Sequence, residues 1–371
     1  MKTSEVIQQD PRTMDLIIKP TEACNFACTF CSSTHLVDDK KLTLHLETIY
    51  EFLQRFPNTQ TIIVNGGDPT MMPVNYYWQL IEHIEKNNYP TIISITTNLW
   101  KFWLEWENDL PEKAWTKLFR HPIVRVGTSF QYGEGRLIRP GRVFSEEDFI
   151  KISDLMLEKV GYRPSFIAVI EKNNLHTALD TVRLAKRLGV DCKINYANMS
   201  GECKEPLPLA YVYQIYIQIW NEGLAQHEWN TRQMANRLTK TRLTICPLHR
   251  SCDEGIRLLQ PDGKYFSCGS FGDDREYEID FDQEVRKNKF FTPLQDDIQI
   301  DAIKMECYSC EMFQICNGCR KHVKDMKTSG MAEEHCSNMK AIASDILRIN
   351  YEEPNIEIMN DDYYEKTGGK V

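Results

Sequence analysis

Strand-like and helix-like segments alternate along residues 15–205 of this chain. Short runs rich in β-branched residues are each followed by apolar residues at helical spacing, as at Leu46, Ile49 and Leu53. Alternation of this kind requires parallel strands, and right-handed crossovers curl such a sheet into an arc. The sequence therefore predicts an α/β fold, a partial (β/α)6 barrel, with functional groups at the C-terminal strand ends. The predicted strands are 15–20, 61–65, 91–97, 123–129, 165–170 and 190–196.

Three cysteines follow the first predicted strand directly, in the spacing C-x3-C-x2-C: Cys24, Cys28 and Cys31. Thiolates at this spacing hold three irons of a cubane [4Fe–4S] cluster and leave the fourth iron without a protein ligand. An iron with a vacant position can bind and polarise a small molecule. A zinc knuckle or a set of buried thiols is the alternative that three cysteines alone leave open.

A second group of cysteines is concentrated between residues 246 and 336. This density is more than a protein core requires and is typical of a domain that binds iron–sulfur clusters, with a pair of zinc ribbons as the alternative. The N-terminus lacks an apolar signal core, so we expect a cytoplasmic protein whose thiols bind metal and form no disulfides. The cysteines concerned are Cys246, Cys252, Cys268, Cys307, Cys310, Cys316, Cys319 and Cys336.

The charge of the chain excludes two classes of partner. Lys and Arg number 44 against 53 for Asp and Glu, which gives a net charge of -9. An acidic protein of this kind is not expected to bind nucleic acid or an anionic membrane surface. No apolar run approaches the length that a membrane-spanning helix needs. With 371 residues, the chain is long enough for one large or two medium domains.

The Cys24–Cys31 loop resembles the signature of the radical S-adenosylmethionine (SAM) enzymes. In that family an aromatic residue before the last cysteine, here Phe30, lies against the adenine of SAM. The sequence Asn65-Gly-Gly-Asp-Pro ends the second strand and is similar to the family's Gly-Gly-Glu-Pro turn, which holds the methionine part of SAM. The corresponding residues are Gly66, Gly67, Asp68, where Asp replaces Glu and its carboxylate could fix an ammonium group, and Pro69.

The resemblance implies further SAM contacts at the next two strand ends. Thr97-Asn98 is similar to the family's Thr-Asn-Gly, with Leu99 in place of Gly, and Ser129 stands where relatives place a serine against the ribose. Arg139 or Arg142 is expected to supply the arginine that contacts the SAM carboxylate.

The C-terminal cysteine array closely resembles the SPASM extension of peptide-modifying radical SAM enzymes. It departs from that pattern in having two residues, where the family has three, between Cys316 and Cys319. The family's interleaved ligation would give two fully ligated auxiliary [4Fe–4S] clusters, three clusters in all, with a role in electron transfer. The first would be held by Cys246, Cys252, Cys268 and Cys319, and the second by Cys307, Cys310, Cys316 and Cys336.

Four regions are expected from these patterns. They are a radical SAM partial barrel at 1–205, a bridging helical segment at 206–245, a SPASM domain at 246–340 and a C-terminal helix and tail at 341–371. Cys192 and Cys203 match no cluster position and are expected to be small buried hydrophobic residues.

The resemblance implies an enzyme that generates a 5′-deoxyadenosyl radical to abstract hydrogen from a ribosomally synthesised precursor peptide. The result would be a crosslink, an epimerised residue or an excised backbone unit, with flavodoxin or ferredoxin as electron donor. Neither end of the sequence leaves room for a leader-binding module, so a separate leader-peptide recognition protein is expected. The alternatives are a sulfatase maturase, a small-molecule radical SAM dehydrogenase and a zinc-stabilised scaffold without catalysis.

Sulfatase maturation is disfavoured by one position. Relatives with that activity carry an Asp base directly after the cysteine that corresponds to Cys268, and here the residue is Gly269, which cannot take a proton. Asp262 and Asp273 lie nearby in sequence and could substitute for the missing base.

Overall fold

The computed structural model describes residues 9–33, 42–238, 255–276, 278–279, 309–312, 316 and 319–352. The chain divides into two compact units. Unit 1 comprises Met1–Asn25, Leu36–Val126 and Ser251–Phe291, and unit 2 comprises Phe26–His35, Gly127–Arg250 and Thr292–Val371. No helix in the described part of the chain has both the length and the apolar composition needed to cross a membrane.

Unit 1 is built on parallel strands with strand β1 between two neighbours. β1 pairs with β2 from Leu16↔Ile62 to Ile18↔Val64 and with β9 from Asp15↔Ile256 to Ile18↔Leu259. β3 continues the parallel order beside β2, while β10 and β11 add antiparallel strands beyond β9. The strands are β1 Asp15–Ile18, β2 Thr61–Val64, β3 Ile92–Thr96, β9 Ile256–Leu259, β10 Tyr265–Phe266 and β11 Glu278–Ile279.

The helices of unit 1 follow the apolar spacing of the sequence. α1 buries Leu46, Ile49, Phe52 and Leu53 on one face, and α2 begins after Pro73, whose fixed φ suits the residue before a helix. The helices are α1 Leu46–Arg55, α2 Val74–Lys86, α3 Trp100–Glu107, α4 Ala114–Phe119 and the short α9 Gly269–Asp274.

Unit 2 has a second set of parallel strands. The chain enters it within β4, Val124–Ser129, and β7 pairs with β4 at Thr128↔Phe166 and with β8 from Phe166↔Cys192 to Ile170↔Tyr196. β5 and β6 form a small antiparallel hairpin. The further strands are β5 Leu137–Ile138, β6 Arg142–Val143, β7 Phe166–Ile170 and β8 Cys192–Tyr196.

The helices of unit 2 include one predicted in detail. Ser145 caps α5 by accepting a hydrogen bond from the Asp148 backbone N–H, while the Asp148 carboxylate accepts one from the Ser145 N–H, which completes a capping box. The helices are α5 Glu146–Val160, α6 Ala178–Leu188, α7 Leu209–Asn221, α8 Trp229–Leu238, α10 Arg320–Thr328, α11 Ala332–Ala341 and α12 Ala343–Glu352.

The α/β fold class with parallel strands is confirmed, and all six strands predicted for residues 15–205 form. Strand β9 was not predicted. It arises from the cysteine-rich part of the sequence and joins the edge of β1 in unit 1.

Candidate active site

The Gly-Gly-Asp-Pro turn packs directly against the start of the cysteine loop within unit 1. The Gly67 and Asp68 N–H groups donate to the carbonyls of Thr21 and Ala23, at 2.9 and 2.8 Å. A Cβ atom on Gly67 would stand 2.2 Å from the Ala23 carbonyl oxygen, and one on Gly66, whose φ is +127°, would stand 2.4 Å from the Thr21 oxygen. Both glycines are therefore required for backbone to approach backbone at this strand end.

Asp68 fastens the ends of β2 and β3 together. The carboxylate is 2 % exposed. One oxygen accepts from the Thr70 N–H at 2.9 Å and from the Thr70 hydroxyl, and the other accepts from the Asn98 N–H at 2.8 Å, while the Thr97 hydroxyl reaches both. Burial raises the pKa of Asp68, and these hydrogen bonds oppose that rise. The Asp68 carboxylate, which the sequence suggested as a partner for an ammonium group, therefore holds the ends of β2 and β3 together.

Asn98 links Asp68 to the cysteine loop through hydrogen bonds. Its side-chain amide donates to Asn25 Oδ1 at 2.7 Å, and its own Oδ1 accepts from the Trp100 N–H at the start of α3. Leu99 has a φ of +60°, the left-handed conformation that suits the Gly expected at this position. The backbone of the Thr-Asn-Gly pattern is therefore kept although the residue differs.

A buried ion cluster lies beside the loop in unit 1. Lys19 Nζ pairs with Asp273 and, at 3.2 Å, with Glu22. Burial alone lowers the pKa of Lys19, but the charges of Asp273 and Glu22 outweigh it and raise the pKa above its usual value. Asp262 pairs with Arg275 at 3.0 Å. Both carboxylates that could replace the base missing at Gly269 are therefore engaged in ion pairs.

The second half of the cysteine loop belongs to unit 2 and lies along the residues that lead into the β5–β6 hairpin. Ala27 N–H donates to the Leu137 carbonyl at 2.8 Å, and Thr29 N–H donates to the Gly135 carbonyl at 2.9 Å. Arg139 donates from Nε to the Phe26 carbonyl at 3.1 Å. These hydrogen bonds hold the backbone on both sides of Cys28. Within the loop, the Cys31 N–H donates to the Cys28 carbonyl at 3.3 Å.

Arg136 connects two of the predicted SAM contacts and was not identified from the sequence. Its guanidinium stands over the Phe30 ring, 5.4 Å from the centroid, and donates to Ser129 Oγ at 2.9 Å and to Gln131 Oε1 at 2.7 Å. A residue seven positions after Ser129 belongs to no motif that we used. Arg142, one of the two arginines considered, instead pairs with Asp148 at the protein surface.

The C-terminal cysteines are only partly within the described residues. Cys268 lies half-buried at the start of α9, Cys310, Cys316 and Cys319 are half-buried, and Cys336 on α11 is exposed. Cys246, Cys252 and Cys307 lie outside the described residues. Over the described ranges, no three His, Cys, Asp or Glu side chains converge closely enough to hold one metal ion.

Cys192 and Cys203 are both buried, as expected for residues without a cluster role. Their thiols donate to the carbonyls of His227 and Glu205, at 3.3 and 3.2 Å. Burial raises the pKa of each thiol, which keeps it protonated at neutral pH.

The donor set of the cysteine loop fits an iron–sulfur cluster and a small polar cofactor. Cys24, Cys28 and Cys31 are partly exposed and form no disulfide, and thiolates are the protein ligands that such clusters take. The Asn25 amide nitrogen next to Cys24 is buried without a hydrogen-bond partner. A buried donor of this kind is costly unless a ligand meets it.

The chain is similar to known proteins in both sequence and structure. The family model of the Radical SAM superfamily matches residues 18–210. No curated protein sequence matches. Among solved structures, anSMEcpe with bound AdoMet superposes with a TM-score of 0.66 at 16 % identity over 91 % of this chain and 99 % of the other. Streptococcus suis SuiB bound to precursor peptide SuiA gives 0.51 at 16 % identity over 82 % and 71 %.

The structural likenesses extend along both units, but at these identities they establish the fold alone. The family match spans more than half of the chain and includes the cysteine loop, the Gly-Gly-Asp-Pro turn, Asn98, Ser129 and Arg136. This chain belongs to the Radical SAM superfamily.

Proposed function

We propose that this protein is a radical SAM and SPASM enzyme that modifies a ribosomally synthesised peptide. The observation that carries the peptide proposal is the likeness to anSMEcpe, whose structure with bound AdoMet and a Cp18Cys peptide matches 92 % of this chain and 99 % of its own. SuiB, which is similar over a smaller share, is bound to a precursor peptide. A peptide substrate therefore suits this fold better than a small metabolite.

In this proposal Cys24, Cys28 and Cys31 hold the first [4Fe–4S] cluster. When bound there, the cluster and SAM would supply the radical chemistry that removes a hydrogen atom from an unactivated C–H bond of the substrate. The other cysteines of the C-terminal array, from Cys246 to Cys336, hold two auxiliary clusters that pass electrons. A flavodoxin or ferredoxin is the proposed donor.

The Gly66–Pro69 turn is the proposed contact for the amino group of the SAM methionine. Gly66 and Gly67 allow the end of β2 to pack against the backbone of Thr21 and Ala23, which fixes the turn beside the cysteine loop. Asp68 keeps Asn98 in place, and Asn98 in turn holds Asn25 beside Cys24. Pro69 is buried in the same turn, where its carbonyl accepts from the Tyr77 hydroxyl at 2.8 Å.

Phe30, Ser129 and an arginine are the further proposed SAM contacts. Phe30 offers a ring face to adenine, and Ser129 offers a hydroxyl to the ribose. Arg136 replaces Arg139 as our candidate for the carboxylate, because it touches both Phe30 and Ser129, whereas Arg139 binds the Phe26 carbonyl. A planar guanidinium suits a carboxylate better than a Lys ammonium does.

The proposed function is tested with the anaerobically purified, reduced enzyme. It is incubated with SAM and a peptide encoded beside its gene, with and without a small neighbouring protein, and peptide mass and 5′-deoxyadenosine are followed together. We expect both products with the wild type, none with Cys28→Ala, and both with Cys203→Ala, a buried thiol outside the cluster pattern.

Three outcomes would contradict parts of the proposal. The absence of 5′-deoxyadenosine from the wild type would refute radical SAM chemistry. Turnover only with a small metabolite would refute the peptide substrate. Full modification of the leaderless core peptide by this chain alone would refute the need for a separate recognition protein.

A further inference from the structure

A tight turn after β8 grips the backbone of the last cysteine in the loop. Glu202 N–H donates to the Cys31 carbonyl at 3.2 Å, and the Ser200 hydroxyl donates to the Ser32 carbonyl at 3.2 Å. Gly201 has a φ of +58°, and a Cβ atom there would stand 2.4 Å from the Cys31 oxygen and 2.6 Å from the Ser32 oxygen. Only glycine fits at this contact, because both the backbone conformation and the space exclude a side chain.

The same turn is held from its other side by helix α10. Lys321 Nζ donates to the Met199 carbonyl at 3.1 Å, and the Met199 N–H donates to Asp325 at 3.2 Å. Lys321 and Asp325 pair with each other at 2.6 Å, with side chains 4 % and 2 % exposed. A buried ion pair thus binds both backbone polar groups of Met199, two residues before Gly201.

The position of α10 gives this arrangement its significance. The helix begins immediately after Cys319, one of the cysteines of the C-terminal array. The alternative is that the ion pair only docks α10, because buried ion pairs often have a purely structural role. This pair, however, is directed at the backbone of a turn that contacts Cys31, so docking of α10 also limits where the Cys31 carbonyl can lie.

We propose that residues 199–202 are a positioning element for Cys31. Lys321 and Asp325 fix Met199, and Gly201 allows the turn to close on the Cys31 carbonyl. The first cluster therefore takes up its geometry only when the chain after Cys319 has folded against the turn. This inference rests on the proposed function, in which Cys31 is a cluster ligand.

The test uses two glycine substitutions in the full-length protein. Gly201→Ala and Gly189→Ala place the same side chain at left-handed residues, with φ of +58° and +68°. A Cβ atom on Gly201 meets Cys31 and Ser32, whereas one on Gly189 meets nothing within 4 Å. The difference between the two variants therefore reports the contact with the cysteine loop rather than the backbone strain that they share.

The readouts are iron content, the electron paramagnetic resonance spectrum of the reduced protein with and without SAM, and SAM affinity. We expect Gly189→Ala to behave as the wild type. Gly201→Ala should lose the SAM-dependent spectral change and bind SAM roughly tenfold more weakly, because the alanine methyl would displace the Cys31 carbonyl and with it the cluster ligand beside the SAM site. Asp325→Asn keeps an oxygen that can accept from the Met199 N–H. It should therefore show a partial loss of the SAM-dependent spectral change, smaller than the loss in Gly201→Ala.

The outcomes separate this inference from the proposed function. A wild type without iron, or without a SAM-dependent spectrum, would overturn both. The positioning role alone would be overturned if the wild type shows that spectrum and the two glycine variants do not differ. In that outcome Gly201→Ala and Gly189→Ala have the same spectrum and bind SAM equally well. If Gly201→Ala fails to fold, a wild-type spectrum in Asp325→Asn would overturn the role.

Discussion

Replacing Asp68 by Asn should destabilise the junction between β2 and β3. The carboxylate accepts hydrogen bonds from Thr70, Thr97 and Asn98 at once. An amide can accept at only one of its two positions, so its NH2 group would face a donor at either Thr70 or Asn98. Loss of a hydrogen bond to a charged group costs roughly 1.5–3 kcal/mol. The neutral amide avoids the desolvation that raises the Asp68 pKa, so we expect a net loss of about 2 kcal/mol.

A loss of that size corresponds to a decrease in Tm of roughly 4–8 °C in a domain of 150–250 residues. It is measured by circular dichroism under anaerobic conditions. Asp148→Asn is the matched control, since Asp148 also accepts from a helix N-terminus, at Ser145, but lies near the surface. Its cost should be about 1 kcal/mol or less. An Asp68→Asn protein no less stable than Asp148→Asn would refute the fastening role.

Three further predictions concern single residues. Arg136→Lys should weaken SAM binding about tenfold in equilibrium dialysis, because Lys lacks the planar fork, while Arg142→Lys should not, and equal effects would contradict the assignment. Burial raises the pKa of Asp15 from 3.8 to about 6, so its stabilising contribution is present below about pH 4 and is lost as the pH rises through 6. The free energy of unfolding of Asp15→Asn, measured in urea, should therefore rise relative to that of the wild type by about 1–3 kcal/mol between pH 4 and pH 7.5. A difference between the two proteins that does not change with pH would refute this. A sulfatase-derived peptide should give no formylglycine, because Gly269 cannot accept a proton; its detection by mass spectrometry would show the reverse.

The sequence predicted local structure well where side chains decide it. β-Branched runs located β1 to β4, β7 and β8, and Ser145 with Asp148 marked the start of α5 although Asp takes the place of the usual Glu. β9 was missed because Arg257 interrupts its apolar run, which leaves no clear strand periodicity. In the structure the segment pairs with β1, about 240 positions earlier, and with the nearby β10.

The predicted site residues are found at strand ends, but their roles depend on distant contacts. Asp68 had been considered for an ammonium group, and the structure gives its carboxylate to Thr97 and Asn98, about thirty positions later. Arg136 could not be recognised because it belongs to no motif and gains meaning only from its contacts with Ser129 and Phe30. The spacing of residues in the sequence identifies residue types that suit a chemistry. It does not show which polar groups form hydrogen bonds with one another in the fold.

The most direct test of the account is the iron and acid-labile sulfide content of anaerobically purified protein, measured with zinc in the same sample. Three complete [4Fe–4S] clusters predict about twelve irons and about twelve sulfides per chain, with little zinc. Cys28→Ala should lose about four of each. Stoichiometric zinc with little iron would contradict the account and favour a zinc-stabilised scaffold.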